Sequence, residues 1–240
     1  MQGDTMDPTT LLAIALVAVF AGAVAQAVTG MGFSLVAAPA LIAVLGPREG
    51  VATVVLLAAM SSVVPLARGY RDVRVKETAT LLLPTLAATP VVAALLAGAD
   101  TSLVAVLAGL AVIAGVIALA VGVRYRRLQT RRAAVGTGVA SAALNVVGGV
   151  GGPPIGLFVA NSGWDAGETR ASLQAFLLVQ NTMTALVLGI VAPSASLVAA
   201  LALGTLVGTW MAEKVPTATA RMGVLGVSGV GGLMLVLGNM

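Results

Sequence analysis

The chain has no cysteine and no histidine, and charged residues make up only 9% of its 240 positions. The missing residue types exclude disulfides, thiolate and imidazole metal sites, haem ligation and any Ser-His or Cys-His nucleophile. No cofactor or metal is expected, and the reading is not that of an enzyme. Charge is scarce enough to exclude a soluble domain as well, because such domains carry about 25% charged residues. What is abundant is apolar: 59% hydrophobic residues and a mean hydropathy of +1.05. The net charge of +4 comes from arginines and lysines in short loops between apolar runs. There they act as topology signals rather than as a nucleic-acid surface, so no nucleic acid partner is expected.

The apolar runs are Leu11 to Ala27, Val51 to Ala67, Thr78 to Ala97, Leu103 to Val123, Ala171 to Ala192, Leu197 to Ala212 and Val224 to Leu237. Each approaches or reaches the ~20 residues that cross hydrocarbon. The sequence therefore predicts an all-α polytopic membrane protein, seated in the lipid bilayer of a bacterial-type inner membrane. Residues 1–10 (MQGDTMDPTT) hold Asp4 and Asp7 but no Lys or Arg. They lack the basic start of a cleaved signal peptide, and the first apolar run is expected to be retained.

The chain resembles itself. Gln26 to Gly32 (QAVTGMG) lies over Asn145 to Gly151 (NVVGGVG) at an offset of 119, which also pairs Glu49 with Glu168. At an offset of 120, Thr85 to Thr89 lies over Thr205 to Thr209, and later Leu119 and Gly122 match Leu235 and Gly238. A nearly constant offset over most of the chain points to duplicated halves, a common build among secondary transporters. The expected organisation is a short tail (1–10), a first repeat (11–123), a basic cytoplasmic loop (124–132) and a second repeat (133–240). Each repeat opens with an apolar stretch interrupted by glycines, TGMGFSLVAAP at Thr29 to Pro39 and GGVGGPPIG at Gly148 to Gly156, followed by three spans. Gly and Pro disfavour a continuous helix there. Two geometries fit: a re-entrant hairpin, or two short helices meeting at the glycines.

Loop charge distinguishes the topologies. If each interrupted stretch turns back on itself, each half crosses an odd number of times and the second half is inverted. Twelve of the thirteen basic residues then lie inside, leaving Arg48 out, and both termini face outside. If each stretch is one kinked helix, the halves run parallel and the split is 9 to 4. The positive-inside rule favours inverted repeats.

Backbone freed by a helix break cannot face lipid; it persists when buried in protein or lining an aqueous cavity. Helix N-termini beginning after the glycines would aim N–H groups and positive dipole ends inward, which attracts anions. The expected site comprises Gln26, Thr29, Gly30, Gly32, Phe33 and Ser34 from the first break, and Asn145, Gly149, Gly151, Gly152, Pro153, Pro154 and Ile155 from the second. Gln180 and Asn181 come from a later span. Gln26 and Asn145 are expected to donate hydrogen bonds to the anion, with N–H groups near Phe33, Ser34 and Ile155 supplying the field. Glycines also permit close helix packing, and buried amides also tie helices together, so packing is the competing role. No Asp, Glu, Lys or Arg occupies the middle of a span, which leaves proton coupling without an obvious carrier. Asp100, Glu213, Glu49 and Glu168 are expected at span ends, solvated or paired with Lys214, Arg48 and Arg170.

At these motifs, TGMGFSLVAAPAL and GGVGGPPIGLF, the sequence resembles the TauE/SafE family of sulfite and organosulfonate exporters along essentially its whole length. The resemblance implies a permease for small sulfur-containing anions (sulfite, sulfonates or thiosulfate), with Gly30, Gly32, Phe33, Gly149, Gly151, Gly152 and Pro153 near the pathway. It covers export and uptake alike, and a homo-oligomer stays open. Met31 and Phe33 make the first motif less glycine-dense than many in that family. No phosphate-binding GxxxxGK[ST] loop is present, so ion or anion gradients are the expected energy source. The rival classes are a non-transporting subunit of a membrane complex and an intramembrane enzyme. The latter has Ser34 and Ser141 as hydroxyls but no histidine and no intramembrane lysine to activate them.

Overall fold

The computed structural model describes residues 7–122, 130–212, 214 and 217–239. Asp4, the basic positions Arg124, Arg126 and Arg127, and Glu213 lie outside the described residues, so the expectations placed on them do too. Ten α-helices run through what is described: α1 Pro8–Thr29, α2 Phe33–Leu45, α3 Pro47–Gly69, α4 Val75–Leu96, α5 Thr101–Val121, α6 Arg131–Gly148, α7 Gly152–Ala160, α8 Ala166–Leu188, α9 Ala195–Ala212 and α10 Thr217–Leu237. Seven of them (α1, α3, α4, α5, α8, α9 and α10) are long and apolar enough to cross a membrane, and they coincide with the seven apolar runs.

Helix boundaries follow local chemistry. Pro8, Pro47 and Pro153 stand in the first turns of α1, α3 and α7, where a missing N–H costs nothing. The Asp100 carboxylate accepts from the Ser102 and Leu103 N–H groups at the start of α5. Asp165 and Glu168 form a reciprocal capping box on α8. The expected pairings at span ends are revised accordingly. Asp100 is a cap, Glu168 pairs with Arg74 at 2.9 Å rather than with Arg170, and Arg48 donates to the Ala97 and Ala99 carbonyls.

The breaks are narrower than the sequence suggests. α2 continues straight through Pro39, so the first break is confined to Gly30–Gly32; the second spans Gly149–Gly151, and its prolines begin α7. The segment before the first break is also longer than expected, since α1 has 22 residues, span length by itself. α2 runs back along α1, and α3 returns alongside α2, with the Gly50 α-carbon tight against Ile42 and Leu41. α6 and α7 form the corresponding hairpin.

Helix neighbours are exchanged between the halves. α1 packs on α9 while α6 packs on α4; α3 packs on α8 and α5 on α10; α2 touches α10 while α7 touches α5. Several contacts are glycine-mediated. A Cβ on Gly204 would lie 2.5 Å from the Phe20 carbonyl oxygen of α1, and one on Gly138 would lie 2.7 Å from the Leu81 carbonyl oxygen of α4. One end of the molecule gathers the α3–α4 connection, the starts of α6, α8 and α10 and the end of α5, where Arg74 meets Glu168 and Arg221 meets Leu119. At the other end, Thr10 near the start of α1 and Asn239 after α10 line the same groove.

Candidate functional site at the two helix breaks

The two breaks meet. A small central cavity, about 30 Å³, is lined by Gln26, Met31, Gly32, Phe33 and Ser34 from one, by Asn145, Gly149, Val150, Gly151, Gly152 and Pro153 from the other, and by Ala58, Leu177 and Asn181. Ala58 lies midway along α3, which spans Pro47–Gly69, so the cavity sits halfway through the bundle.

Each break is built the same way around one amide. The Gln26 side-chain oxygen accepts the Phe33 N–H (3.3 Å), and the Asn145 side-chain oxygen accepts the Gly151 N–H (3.1 Å). Each therefore caps a backbone group orphaned by the break. Their NH2 groups point to α8: Gln26 donates to Gln174 (3.2 Å), and Asn145 donates to Thr184 (2.9 Å). Gln174 in turn donates to the Gly30 carbonyl at 2.7 Å. Gln26 and Asn145 thus brace the breaks, each engaging one of its two NH2 hydrogens on α8, and the Phe33 N–H is already taken. An unpaired buried N–H costs about 1–3 kcal/mol, which is why an amide stands at each break.

Glycine is required at four positions here for two reasons. Gly30 and Gly149 end their helices at φ 80° and 70°, and Gly32 leads into α2 at φ 120°, a region that side chains disfavour. Gly151 has an ordinary φ of −69°, but a Cβ there would fall 2.5 Å from the Gln180 amide nitrogen and 2.8 Å from the Asn145 Cβ. Behind it a chain of bonds runs from the Gln180 NH2 to the Ser141 hydroxyl (2.8 Å) and on to the Gly151 carbonyl (2.6 Å).

Not every expected residue reaches the cavity. Pro154 and Ile155 point elsewhere, Ile155 into a buried cluster with Leu81, Phe176 and Leu177. With Pro153 and Pro154 in its first turn, α7 also has fewer N–H donors than α2. Thr29 lines a neighbouring cavity, and its one hydroxyl hydrogen is shared between the Ala25 and Met31 carbonyls. Gly30 stands beside the Arg170 guanidinium, and Gln180 lies behind Gly151. Two cavity-lining groups remain uncommitted. The buried Asn181 side-chain oxygen has no partner, and the Ser34 hydroxyl makes no hydrogen bond among the described residues. Gln174 was not anticipated; its signal is its spacing, since residues 174, 177, 181 and 184 share one face of α8.

A family model described as Sulfite exporter TauE/SafE matches residues 14–235. The chain belongs to the TauE/SafE family. Neither a curated protein nor a solved structure matches it. The TauE/SafE family is one of sulfite and sulfonate exporters, transporters rather than enzymes, and the match covers both breaks and all seven span-length helices. Among the described residues of this TauE/SafE chain no group of His, Cys, Asp and Glu could hold a metal ion.

Proposed function

We propose that the chain is a secondary transporter that exports a small sulfur oxyanion, sulfite or a sulfonate, through the central cavity between its two breaks. The observation that carries this reading is the convergence of both breaks on one cavity with neutral donors and no carboxylate among its lining residues. Ser34 offers its hydroxyl, and Asn181 its amide, which bonds an anion once its NH2 faces the cavity. The first turn of α2 contributes the N–H groups of Ser34 and Leu35 and the positive end of its dipole. Gln26 and Asn145 hold the two breaks open for it.

The halves are inverted repeats, 11–123 and 133–240, joined through residues 124–132, of which Arg131 and Arg132 already belong to α6. The exchanged helix pairing supports this, as does the shared end of Thr10 and Asn239. By the positive-inside rule the end carrying Arg71, Arg74, Arg131 and Arg170 is cytoplasmic, which places both termini outside an inner membrane. Access alternates. On the cytoplasmic side a cavity of about 260 Å³ reaches Met31 and Gly32, while on the outer side Val150 packs among Val54, Val55, Ala108 and Val112.

The test is flux of labelled sulfite, sulfoacetate and sulfate in liposomes holding the purified protein. Sulfite or sulfoacetate flux is expected, falling about tenfold in Asn181→Ala and in Ser34→Ala, the loss expected for one hydrogen bond to a charged group. Absence of flux for all three anions overturns the transporter reading.

A further inference from the structure

Beside the central cavity lies a larger one with a charge that the central cavity lacks. It measures about 260 Å³ and is bounded by the α1 break (Thr29, Met31, Gly32), the end of α5 (Leu119, Gly122) and the start of α10 (Arg221, Val224). Arg221 is the one charged side chain among its lining residues. One guanidinium nitrogen donates to the Leu119 carbonyl, and among the described residues no carboxylate pairs with it. A guanidinium has five donors in a planar fork suited to oxyanions, so most of its capacity is unspent. Arg170 stands beside Gly30 and adds a second positive charge near the α1 break.

Met31 stands between this vestibule and the centre, beside Gly32 and Leu35, which also line both cavities. It lines both cavities, and its Cε lies only 2.4 Å from where a Cβ on Gly156 would sit. The closure is tight because residue 156 is glycine. Methionine is also the apolar side chain best able to change shape, with three rotatable bonds. The repeat partners of Met31 and Arg221, at offsets of 119 and 116, are Val150 and Ala105, so neither the charge nor the flexible plug recurs at the equivalent positions, and the basic residue of the far end, Arg48, donates to the Ala97 and Ala99 carbonyls.

We propose that the vestibule is a loading site for the transported oxyanion, where Arg221 binds it before Met31 swings off Gly156 and admits it to the central cavity. This rests on the transporter reading above. The site is one-sided, and its effect is on capture rather than on translocation.

The test uses liposomes in which the protein is oriented uniformly, with sulfite supplied from either face. Arg221→Gln is expected to raise the half-saturating sulfite concentration about tenfold from the Arg221 face, with the maximal rate kept, matching loss of a charge-assisted hydrogen bond. From the opposite face it is expected to change nothing, and Arg221→Lys is expected to restore most of the affinity. A purely structural role, through the bond to Leu119, would lower the maximal rate from both faces. An unchanged half-saturating concentration, or an equal rise from both faces, overturns the loading site. Failure of the transporter reading looks different, since the parent protein then moves no anion from either side. In that event equilibrium binding of labelled sulfite to purified parent and Arg221→Gln protein decides, and equal binding overturns the proposal.

Discussion

Gly151 and Gly136 belong to the same half of the chain and make opposite demands on space. A Cβ at Gly151 collides with Gln180 and Asn145, whereas one at Gly136 meets nothing within 4 Å. Gly151→Ala is expected to abolish anion flux by pushing the second break out of register, while Gly136→Ala leaves flux intact and stabilises α6 by up to ~1 kcal/mol, as for any exposed helical glycine. Flux and thermal unfolding of the two variants check this; equal behaviour would remove the spatial argument. The braces make a separate prediction. Asn145→Ala leaves the Gly151 N–H buried and unpaired, and is expected to cost about 1–3 kcal/mol of stability in addition to transport. Asn181→Ala strips no backbone partner and is expected to spare the unfolding temperature while lowering flux. At this scale the sequence was partly legible. The register of Gln26 over Asn145 marks both as equivalent, but a sequence shows an amide without its partners, so their bracing role stays hidden until Gln174 and Thr184 are seen opposite.

Between elements, glycine sets how closely helices approach. α9 meets α1 through Gly204, whose missing Cβ leaves room for the Phe20 carbonyl, and through Gly208, which packs on Val24 and Ala27. Water does not drive helices together inside a bilayer, so such contacts depend on close van der Waals packing. Gly204→Val is expected to separate α9 from α1 and reduce the folded yield sharply. Gly226→Ala on α10, with open space around it, is expected to be neutral; size-exclusion profiles and thermal melts of the two variants provide the comparison. The long helices were legible because hydropathy and length identify a span without knowledge of its neighbours. Break edges were not, since Pro39 lies inside α2 in a stretch where proline predicts interruption. A proline without an N–H is tolerated when the carbonyl it leaves unpaired finds another partner or is buried in protein, and neighbours of that kind are invisible in sequence.

For the whole molecule the decisive question is orientation, and the chain is unusually suited to answer it because it has no cysteine of its own. Single cysteines can be placed at exposed positions on each connection without background labelling. In the inverted arrangement Thr10→Cys, Ala195→Cys and Asn239→Cys report the outer face, and Ala166→Cys reports the basic, cytoplasmic face. A membrane-impermeant thiol reagent applied to intact cells is expected to modify the first three and to reach Ala166→Cys only after the membrane is opened. Parallel repeats place an odd number of crossings between Ala195 and Ala166 as well, so that pair checks only the span α8. The pair that separates the arrangements is Thr10 with Gly98, an exposed position between α4 and α5 labelled as Gly98→Cys. Inverted halves put them on the same side, because α1 and α2 return to the face where α1 began and α3 and α4 then cross twice. A kinked single span in place of the first hairpin makes three crossings and puts Thr10 and Gly98 on opposite sides. Labelling of only one of the two from outside would therefore dissolve the inverted repeat, and with it the reason for two breaks to face one anion from opposite directions.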